Sequence, residues 1–217
     1  MTISKQDWDS RETSWDFTTS ELLKHKTSPL IKDAVAAYTE HWTEQFNTLH
    51  ENEEELNRIF LKIYDLEDEL SPDVPLEDVT ILKEEAPDRN GGITFREDVL
   101  VKQFLSYAVG CFFGRYSPNK DGLVLANTGD GLDAYREKVG GIPPYLVTDN
   151  VLSLADAPYF GQDILALLKA FLAETFGRES VSENIDYIAA TLAPSSRASS
   201  EDVIRAYFSN DFYRDHK

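Results

Sequence analysis

The stretch SPLIKDAVAAYTEHWTEQFNTLH, residues 28–50, has the clearest periodic pattern in the chain. Its large apolar residues recur at spacings of three and four, which places them on one side of a helix. Ser28 and Pro29 are typical of a helix start, with a capping hydroxyl followed by proline at the first helical position. We therefore predict a helix of several turns that buries one stripe: Ile31, Ala34, Val35, Tyr38, Trp42, Phe46 and Leu49.

A second apolar stripe follows an acidic run at residues 51–55. The two stripes could belong to one long helix or to a hairpin of two helices. The acidic runs at residues 51–55 and 65–69 could in principle bind a metal, but such runs beside helix ends are typical of solvated faces. The members of the second stripe are Leu56, Ile59, Phe60 and Ile63.

Residues 65–96 form an acidic connector that prolines and an Asn-Gly-Gly turn interrupt. Only residues 78–84, DVTILKE, have the composition of a short strand. The next helical segment, residues 96–116, is apolar around most of its surface, as expected of a buried helix. Four of its residues form a narrow strip of small or polar side chains, where we predict the close approach of another helix. The strip consists of Gln103, Ser106, Gly110 and Gly114.

Residues 117–158 are rich in glycine, proline, asparagine and aspartate, which predicts irregular structure. Residues 122–127 and 144–149 are candidates for short strands. Three apolar stripes of helical spacing follow in the C-terminal third. Their starts are marked by Ser180 with Glu183, which has capping-box spacing, and by Ser199 or Ser200 before two acidic residues.

The fold class predicted by these patterns is mainly α, a multi-helix domain with minor short β-strands in the 65–96 and 117–158 connectors. Residues 1–27 are expected to form an N-terminal arm and residues 28–217 a helical domain. The irregular segment 117–158 could join two subregions of that domain, residues 28–116 and 159–217.

The charge balance is strongly acidic: 21 lysines and arginines against 39 aspartates and glutamates give a formal net charge of −18. Such a chain repels the phosphate backbone unless its basic residues gather on one face, so general DNA affinity is not expected. Lys102, Arg115 and Arg205 could still line a DNA-facing edge, although the sequence assigns no DNA-binding residue.

The single cysteine, Cys111, lies in the apolar run VGCFF, which predicts a buried, unreactive thiol and a reducing compartment. The N-terminus lacks the pattern of a signal peptide, and no apolar run is long enough to span a bilayer. We expect a cytoplasmic protein without a membrane partner. The only methionine is Met1, which suggests that the chain is part of a longer protein.

Several short motifs resemble parts of known chemical sites. Pro143 to Tyr145 matches part of the catalytic loop of methyltransferases that act on exocyclic amines, but Ile142 replaces the polar residue that accepts a hydrogen bond from the amine. The Gly-rich segment 127–133 is typical of a turn. Residues 117–128 resemble a calcium loop whose first and last acidic ligands are replaced by serine and threonine.

The four histidines, His25, His41, His50 and His216, lack the spacing of a helical zinc site. No catalytic, cofactor-binding or metal-binding residue can therefore be nominated. The aromatic residues Trp8, Trp15 and Phe17 could stack on nucleic-acid bases, but without a basic cluster we expect them to anchor the N-terminal arm against the domain or against a neighbour outside the chain.

Five long segments resemble, in order, the PglX family of adenine-specific DNA methyltransferases of the bacteriophage-exclusion (BREX) defence systems. They are NTLHENEEELNRIFLKIYDLEDELSPDVPLEDVTI at residues 47–81, VLVKQFLSYAVGCFFGRYS at 99–117, YFGQDILALLKAFLAETFG at 159–177, NIDYIAATL at 184–192 and VIRAYFSNDFYRDHK at 203–217.

The resemblance implies N6 methylation of adenine with S-adenosylmethionine by the parent enzyme, with DNA as its partner. The cofactor loop and the Asn-Pro-Pro-Tyr loop of the family are expected outside this chain. For this chain the resemblance implies a non-catalytic helical spacer between the catalytic and target-recognition parts of the parent enzyme. The spacer is expected to bind no cofactor itself. Its expected partners are those two domains and other defence-system proteins. The alternative is an acidic interaction module that binds a partner defence protein or mimics DNA, without enzymatic activity.

Overall fold

The computed structural model describes residues 2–148, 151–154 and 163–215. Helices make up most of these ranges, so the predicted mainly α class is confirmed. The helices are α1 Ile3–Asp9, α2 Glu21–Lys24, α3 Ile31–Tyr64, α4 Glu97–Phe112, α5 Leu132–Val139, α6 Ile164–Thr175, α7 Val181–Leu192, α8 Ser200–Ala206 and α9 Phe212–Asp215. A 3-10 turn, Arg178–Ser180, precedes α7, and a π-helical turn, Tyr207–Asp211, joins α8 to α9.

The two apolar stripes of residues 31–63 belong to one helix, α3, and not to a hairpin. At 34 residues and a rise of 1.5 Å per residue, α3 is about 50 Å long. It ends where Asp65 adopts the left-handed conformation, with a φ of 57°. The helix thus extends well beyond the part of its apolar stripe that the core covers.

The prediction that Ser28 and Pro29 start this helix is wrong, because α3 begins at Ile31. The Ser28 hydroxyl accepts a hydrogen bond from the Leu30 N–H at 3.0 Å, within the turn before the helix. The first helical N–H, that of Ile31, instead donates to Oδ1 of Asn184 on α7 at 2.8 Å. A buried side chain 153 residues away therefore caps α3.

The core forms where α4 packs against α2, α6 and α7. Aromatic rings fill its centre: Phe171 of α6 contacts Phe104, Tyr107 and Phe112 of α4 at ring-centroid distances of 5.8 to 6.4 Å. The N-terminal half of α3 packs against α2 and α7. The predicted first stripe is buried from Ile31 to Phe46 and half-buried at Leu49.

The strip of small and polar residues is covered closely, mainly by loops. Another helix reaches it at Gly114, just after α4, where a Cβ would lie 3.3 Å from the ring of Tyr135 on α5. The Ser106 hydroxyl donates to the carboxylate of Glu12 in the loop after α1, and the Gln103 amide donates to Glu85 at 2.8 Å. A Cβ on Gly110 would lie 2.6 Å from the ring of Tyr116. Carboxylates of the N-terminal segment and the connector therefore cover the polar half of the strip, and residues that follow α4 cover its two glycines.

No strand is present in the described ranges, where β structure is limited to three isolated bridges: Asp88–Thr94, Ser117–Lys120 and Ser153–Asp163. In residues 78–84, the buried guanidinium of Arg89 donates to the carbonyls of Val79 and Ile81, both at 2.5 Å. The Arg89 side chain thus satisfies backbone carbonyls that would otherwise pair with a neighbouring strand.

The other two strand candidates form hydrogen bonds with the last residue of α4 and with the residues just after it. The N–H of Val124 donates to the Arg115 carbonyl and that of Val147 to the Phe112 carbonyl, both at 2.8 Å. Each segment makes only a few such bonds, so neither becomes a strand. Residue 149, which ends the second candidate, and residue 159, the predicted start of a subregion, lie outside the described residues.

Helix starts in the C-terminal third follow the sequence only in part. The Ser199 hydroxyl accepts a hydrogen bond from the Asp202 N–H at 3.2 Å, which confirms Ser199 as the cap of α8. The capping box of Ser180 and Glu183 is wrong: the Ser180 hydroxyl donates to the carbonyls of the preceding turn, and Glu183 pairs with Lys32 of α3 at 2.7 Å.

The N-terminal arm is packed onto the helices through Phe17, whose ring contacts Tyr107 and Tyr116 at centroid distances of 6.1 and 5.3 Å. Trp8 and Trp15, by contrast, are 61% and 100% exposed, so anchoring against this domain is confirmed only for Phe17, and anchoring of the two tryptophans against a neighbour outside the chain stays a prediction.

Candidate functional site

The Pro-Pro-Tyr triplet serves the core. Tyr145 is fully buried, and its ring meets Phe171 edge-on at 5.2 Å and Phe112 at 6.3 Å. Burial raises the pKa of the Tyr145 hydroxyl well above its ordinary value. The two prolines turn the chain so that this ring enters the core, while Ile142 is partly exposed.

The Gly-rich segment 127–133 forms a turn around the carboxylate of Asp130. The carboxylate of Asp130 accepts hydrogen bonds from the Asn127 N–H at 3.2 Å and from Nζ of Lys138 at 2.9 Å. The bond from Lys138, followed by that from the backbone of Asn127, lowers the pKa of Asp130. This confirms the turn expected from the sequence and accounts for the aspartate.

The calcium-like segment begins with a tight turn. Ser117 is 1% exposed, and its hydroxyl accepts the N–H of Asn119 at 3.2 Å. Ser117 and Lys120 also have the Ser-x-x-Lys spacing found in some serine enzymes. Because Ser117 is buried and its hydroxyl already has a backbone partner, the turn serves structure. Within residues 2–148, 151–154 and 163–215, no group of three or more histidine, cysteine or acidic side chains is arranged to hold a metal.

The histidines occupy two separate environments. The ring of His25, at the end of α2, lies 4.9 Å from the ring of His41 on α3, and Nε2 of His25 is 3.5 Å from Glu21. His50 lies farther along α3, where its Nε2 is 2.7 Å from the carbonyl of Val74. His216 lies outside the described residues.

The three basic residues considered for a DNA-facing edge have different roles. Arg205 is buried and makes a two-pronged ion pair with Asp163 at 2.5 and 2.7 Å, which excludes it from any surface edge. Lys102 lies within 3.7 Å of two aspartates, which balance its charge. Arg115 is exposed and packs over the ring of Tyr116.

A cavity of about 450 Å³ opens between the N-terminal arm and α4. Several of its lining polar groups already have partners. The Ser106 hydroxyl donates to Glu12. Arg11 donates to Glu85 at 2.8 Å and to Asp7 at 2.9 Å behind the cavity wall. Burial lowers the pKa of the Arg11 guanidinium, but the bond to Asp7 and the charge of Glu85 outweigh it, so the net pKa is raised. These contacts join the arm, the connector and α4.

The most prominent surface feature is the distal half of α3. Here we define the distal face as the five large apolar residues that continue the helix stripe past the core, which are between 46% and 66% exposed. With roughly 200 Å² for each fully exposed side chain of this size, the face exposes on the order of 500 Å². Patches of this size mark interaction sites on many proteins. The distal face consists of Leu56, Ile59, Phe60, Ile63 and Tyr64.

The connector contacts the distal half of α3 beside the distal face. The Asn57 amide donates to the Pro72 carbonyl at 3.1 Å, and the Glu54 carboxylate accepts the Val74 N–H at 3.3 Å. These contacts hold the end of the helix in place and leave the distal face exposed.

The surroundings of the distal face are acidic. Residues 51–69 contain eight aspartates and glutamates against two basic residues, Arg58 and Lys62. Arg58 is already paired with two glutamates at 3.1 Å. The sequence identified both the apolar stripe and the acidic runs, but it could not show that the stripe is exposed.

No protein-family model matches the chain. The chain is similar to two curated proteins over 99% of its length. It is 40% identical to a segment of "Adenine-specific methyltransferase PglX" from Lacticaseibacillus casei (strain Zhang) and 29% identical to a segment of "Adenine-specific methyltransferase BrxX" from Escherichia coli O9:H4 (strain HS). These segments are 17% and 18% of the two relatives, so the chain spans less than a fifth of their length.

The resemblance seen in the sequence is therefore confirmed: the whole chain is related to one segment of adenine-specific methyltransferases. None of the helices described is long and apolar enough to cross a membrane.

Proposed function

We propose that this chain, as a relative of one segment of PglX and BrxX, is a non-catalytic helical spacer of an adenine-specific (N6) DNA methyltransferase. In this role it connects the catalytic part, where S-adenosylmethionine binds, to the part that recognises the DNA target. The parent enzyme acts on DNA in a phage-defence system of the BREX type, in the cytoplasm.

The observation that carries the proposal is α3, a single helix about 50 Å long that is anchored in the core at one end and projects at the other. A methyltransferase must hold its catalytic pocket and its base-reading module at a fixed separation along the duplex. A helix clamped by a core and by a connector supplies this stiffness, which an irregular linker cannot.

Motifs that could have carried methyl-transfer chemistry are used for structure. Tyr145 fills the core, and the segment around Asp130 is closed by Lys138. The acidic surface agrees with a spacer that leaves DNA contacts to other domains.

The proposal can be tested with a helix-breaking substitution at the exposed residue Asn52, in the middle of α3. Asn52→Pro removes a helical hydrogen bond and kinks the helix, at a cost of about 3 kcal/mol, whereas Asn52→Ala keeps the helix and serves as the matched control. Both variants are made in a full-length adenine-specific methyltransferase that carries this segment.

We expect Asn52→Pro to leave S-adenosylmethionine affinity unchanged, measured by calorimetry, and to lower adenine methylation of target DNA at least tenfold, while Asn52→Ala retains both. Loss of cofactor affinity in parallel with methylation would contradict the spacer role. So would binding of S-adenosylmethionine by this chain alone.

The acidic charge supports a second candidate, an interaction module that binds a partner defence protein or occupies a basic DNA-binding groove. In that case the chain alone should compete with duplex DNA for a DNA-binding protein of the same defence system. An unchanged DNA affinity in the presence of excess chain would remove this candidate.

A further inference from the structure

We infer that the distal face of α3 is a docking surface for another domain of the same longer polypeptide, and that this domain presents an apolar ridge bordered by lysine and arginine. The inference rests on the proposed function, because it requires the chain to be part of a longer methyltransferase. It adds a specific contact to that role.

The distal face continues the buried stripe on the same side of the helix. Leu49 packs at the edge of the core, and Leu56 follows seven residues later, which is close to two helical turns. The same side of α3 therefore faces the core in its first half and solvent in its second. A face with this pattern is typical of a helix that is buried along its whole length.

The side chains of the distal face also contact one another when no partner covers them. Phe60 and Tyr64 stack with nearly parallel rings, at a centroid distance of 6.4 Å. The connector contacts α3 at Asn57, which flanks the distal face beside Tyr64, and it leaves the five apolar side chains between 46% and 66% exposed. Because these side chains are carried by a helix that is already formed, their docking costs less backbone entropy than the folding of an unstructured segment would.

The source of the occupant follows from the comparison with the longer relatives. The described residues of this chain leave the distal face exposed, while the matched segment is only 17% of PglX and 18% of BrxX. Most of a polypeptide of that size therefore lies outside this segment. It is tethered to the segment, which raises its local concentration at the face.

The acidic surroundings determine the chemistry of the occupant. Eight acidic residues against two basic ones in residues 51–69 repel DNA and anionic lipid. They also oppose a symmetric dimer, in which two such faces would bring like charges together. A protein surface with a basic rim satisfies both the apolar stripe and its acidic border.

Hydroxyl-radical footprinting can test this inference. In the chain alone, Tyr64 and Tyr213 are 66% and 73% exposed, so we expect them to be labelled at similar rates. In a full-length methyltransferase that carries the segment, labelling of Phe60 and Tyr64 should fall at least tenfold relative to the chain alone. Equal labelling of Tyr64 in the two proteins would overturn the inference.

A pair of substitutions provides the matched control. Phe60→Ser removes apolar surface at the centre of the distal face, and Lys62→Ser changes an exposed residue two positions away on the other side of the helix. Serine and phenylalanine have similar helix propensities, so α3 should remain folded. In the full-length protein, Phe60→Ser should restore most of the Tyr64 labelling, and Lys62→Ser should not. Equal effects of both variants would contradict docking through this face.

Other occupants give distinct results. Protection of Tyr64 in the chain alone that grows with protein concentration, together with dimer formation in sedimentation, would assign the face to a second copy and overturn the inference. Protection of Tyr64 only when another defence protein is added would assign the face to that protein and would also overturn the inference. If Asn52→Pro lowers methylation but Tyr64 is labelled equally in the full-length protein and in the chain alone, the spacer role is supported and only the docking surface is rejected.

Discussion

Asn184 is the residue through which α7 holds the start of α3, and its substitution gives the sharpest test of the fold. Its Oδ1 accepts the Ile31 N–H at 2.8 Å, and its Nδ2 donates to the Pro29 carbonyl at 3.0 Å. Asn184 and Ile31 are 1% and 0% exposed, so water cannot replace the lost partner at Ile31. Asn184→Ala therefore leaves a buried helical N–H unsatisfied and removes a second bond.

The expected cost follows from these two contacts. A buried backbone group that loses its partner costs about 1–3 kcal/mol, and the second bond, to a more accessible carbonyl, contributes about 1 kcal/mol. We expect Asn184→Ala to lower the free energy of unfolding by about 2–4 kcal/mol, measured by urea denaturation with circular dichroism. For a chain of this size the corresponding fall in Tm is roughly 6–12 °C.

Ser28 supplies the control, because sequence patterns alone assign it the capping role. Its hydroxyl accepts the Leu30 N–H at 3.0 Å and donates to the Asp33 carboxylate at 2.5 Å. Because the side chain is half-buried, water can replace it at both partners, so Ser28→Ala should cost about 1 kcal/mol. If Ser28→Ala destabilises the chain as much as Asn184→Ala, the cap across the core is not what holds the start of α3.

Three further predictions concern other parts of the core. Arg205→Met leaves the carboxylate of Asp163 buried without its partner and should cost about 3–5 kcal/mol in urea denaturation, most of which the double variant with Asp163→Leu should recover. Gly114→Ala places a Cβ 2.7 Å from a leucine methyl at a φ of 73° and should cost about 2–4 kcal/mol, whereas Gly141→Ala enters open space and should change stability by less than about 0.5 kcal/mol. Burial raises the pKa of the Cys111 thiol, so its reaction with a disulfide reagent at pH 8 should be at least about 100-fold slower in the folded chain than in urea; similar rates would refute its burial.

Patterns that depend on neighbouring residues were predictable from the sequence. The spacing of apolar residues located α3 and the buried helix α4, because side chains three and four residues apart share one side of a helix. The cap of Ser199 on α8 and the turn around Asp130 follow the same logic, since each is completed by a bond to a residue three positions away. The acidic residues around the distal face were also visible, and they decide which partners can approach it.

The tertiary structure decided everything that depends on contacts between distant segments. Asn184 lies 153 residues from the helix N–H that it caps, and Glu12 lies 94 residues from Ser106 on the α4 strip that it covers. Arg89 satisfies the carbonyls that a strand would have paired. Only the fold shows where the core ends along α3. The same spacing of apolar residues runs through the buried half and the exposed half of the helix, so the sequence cannot distinguish them.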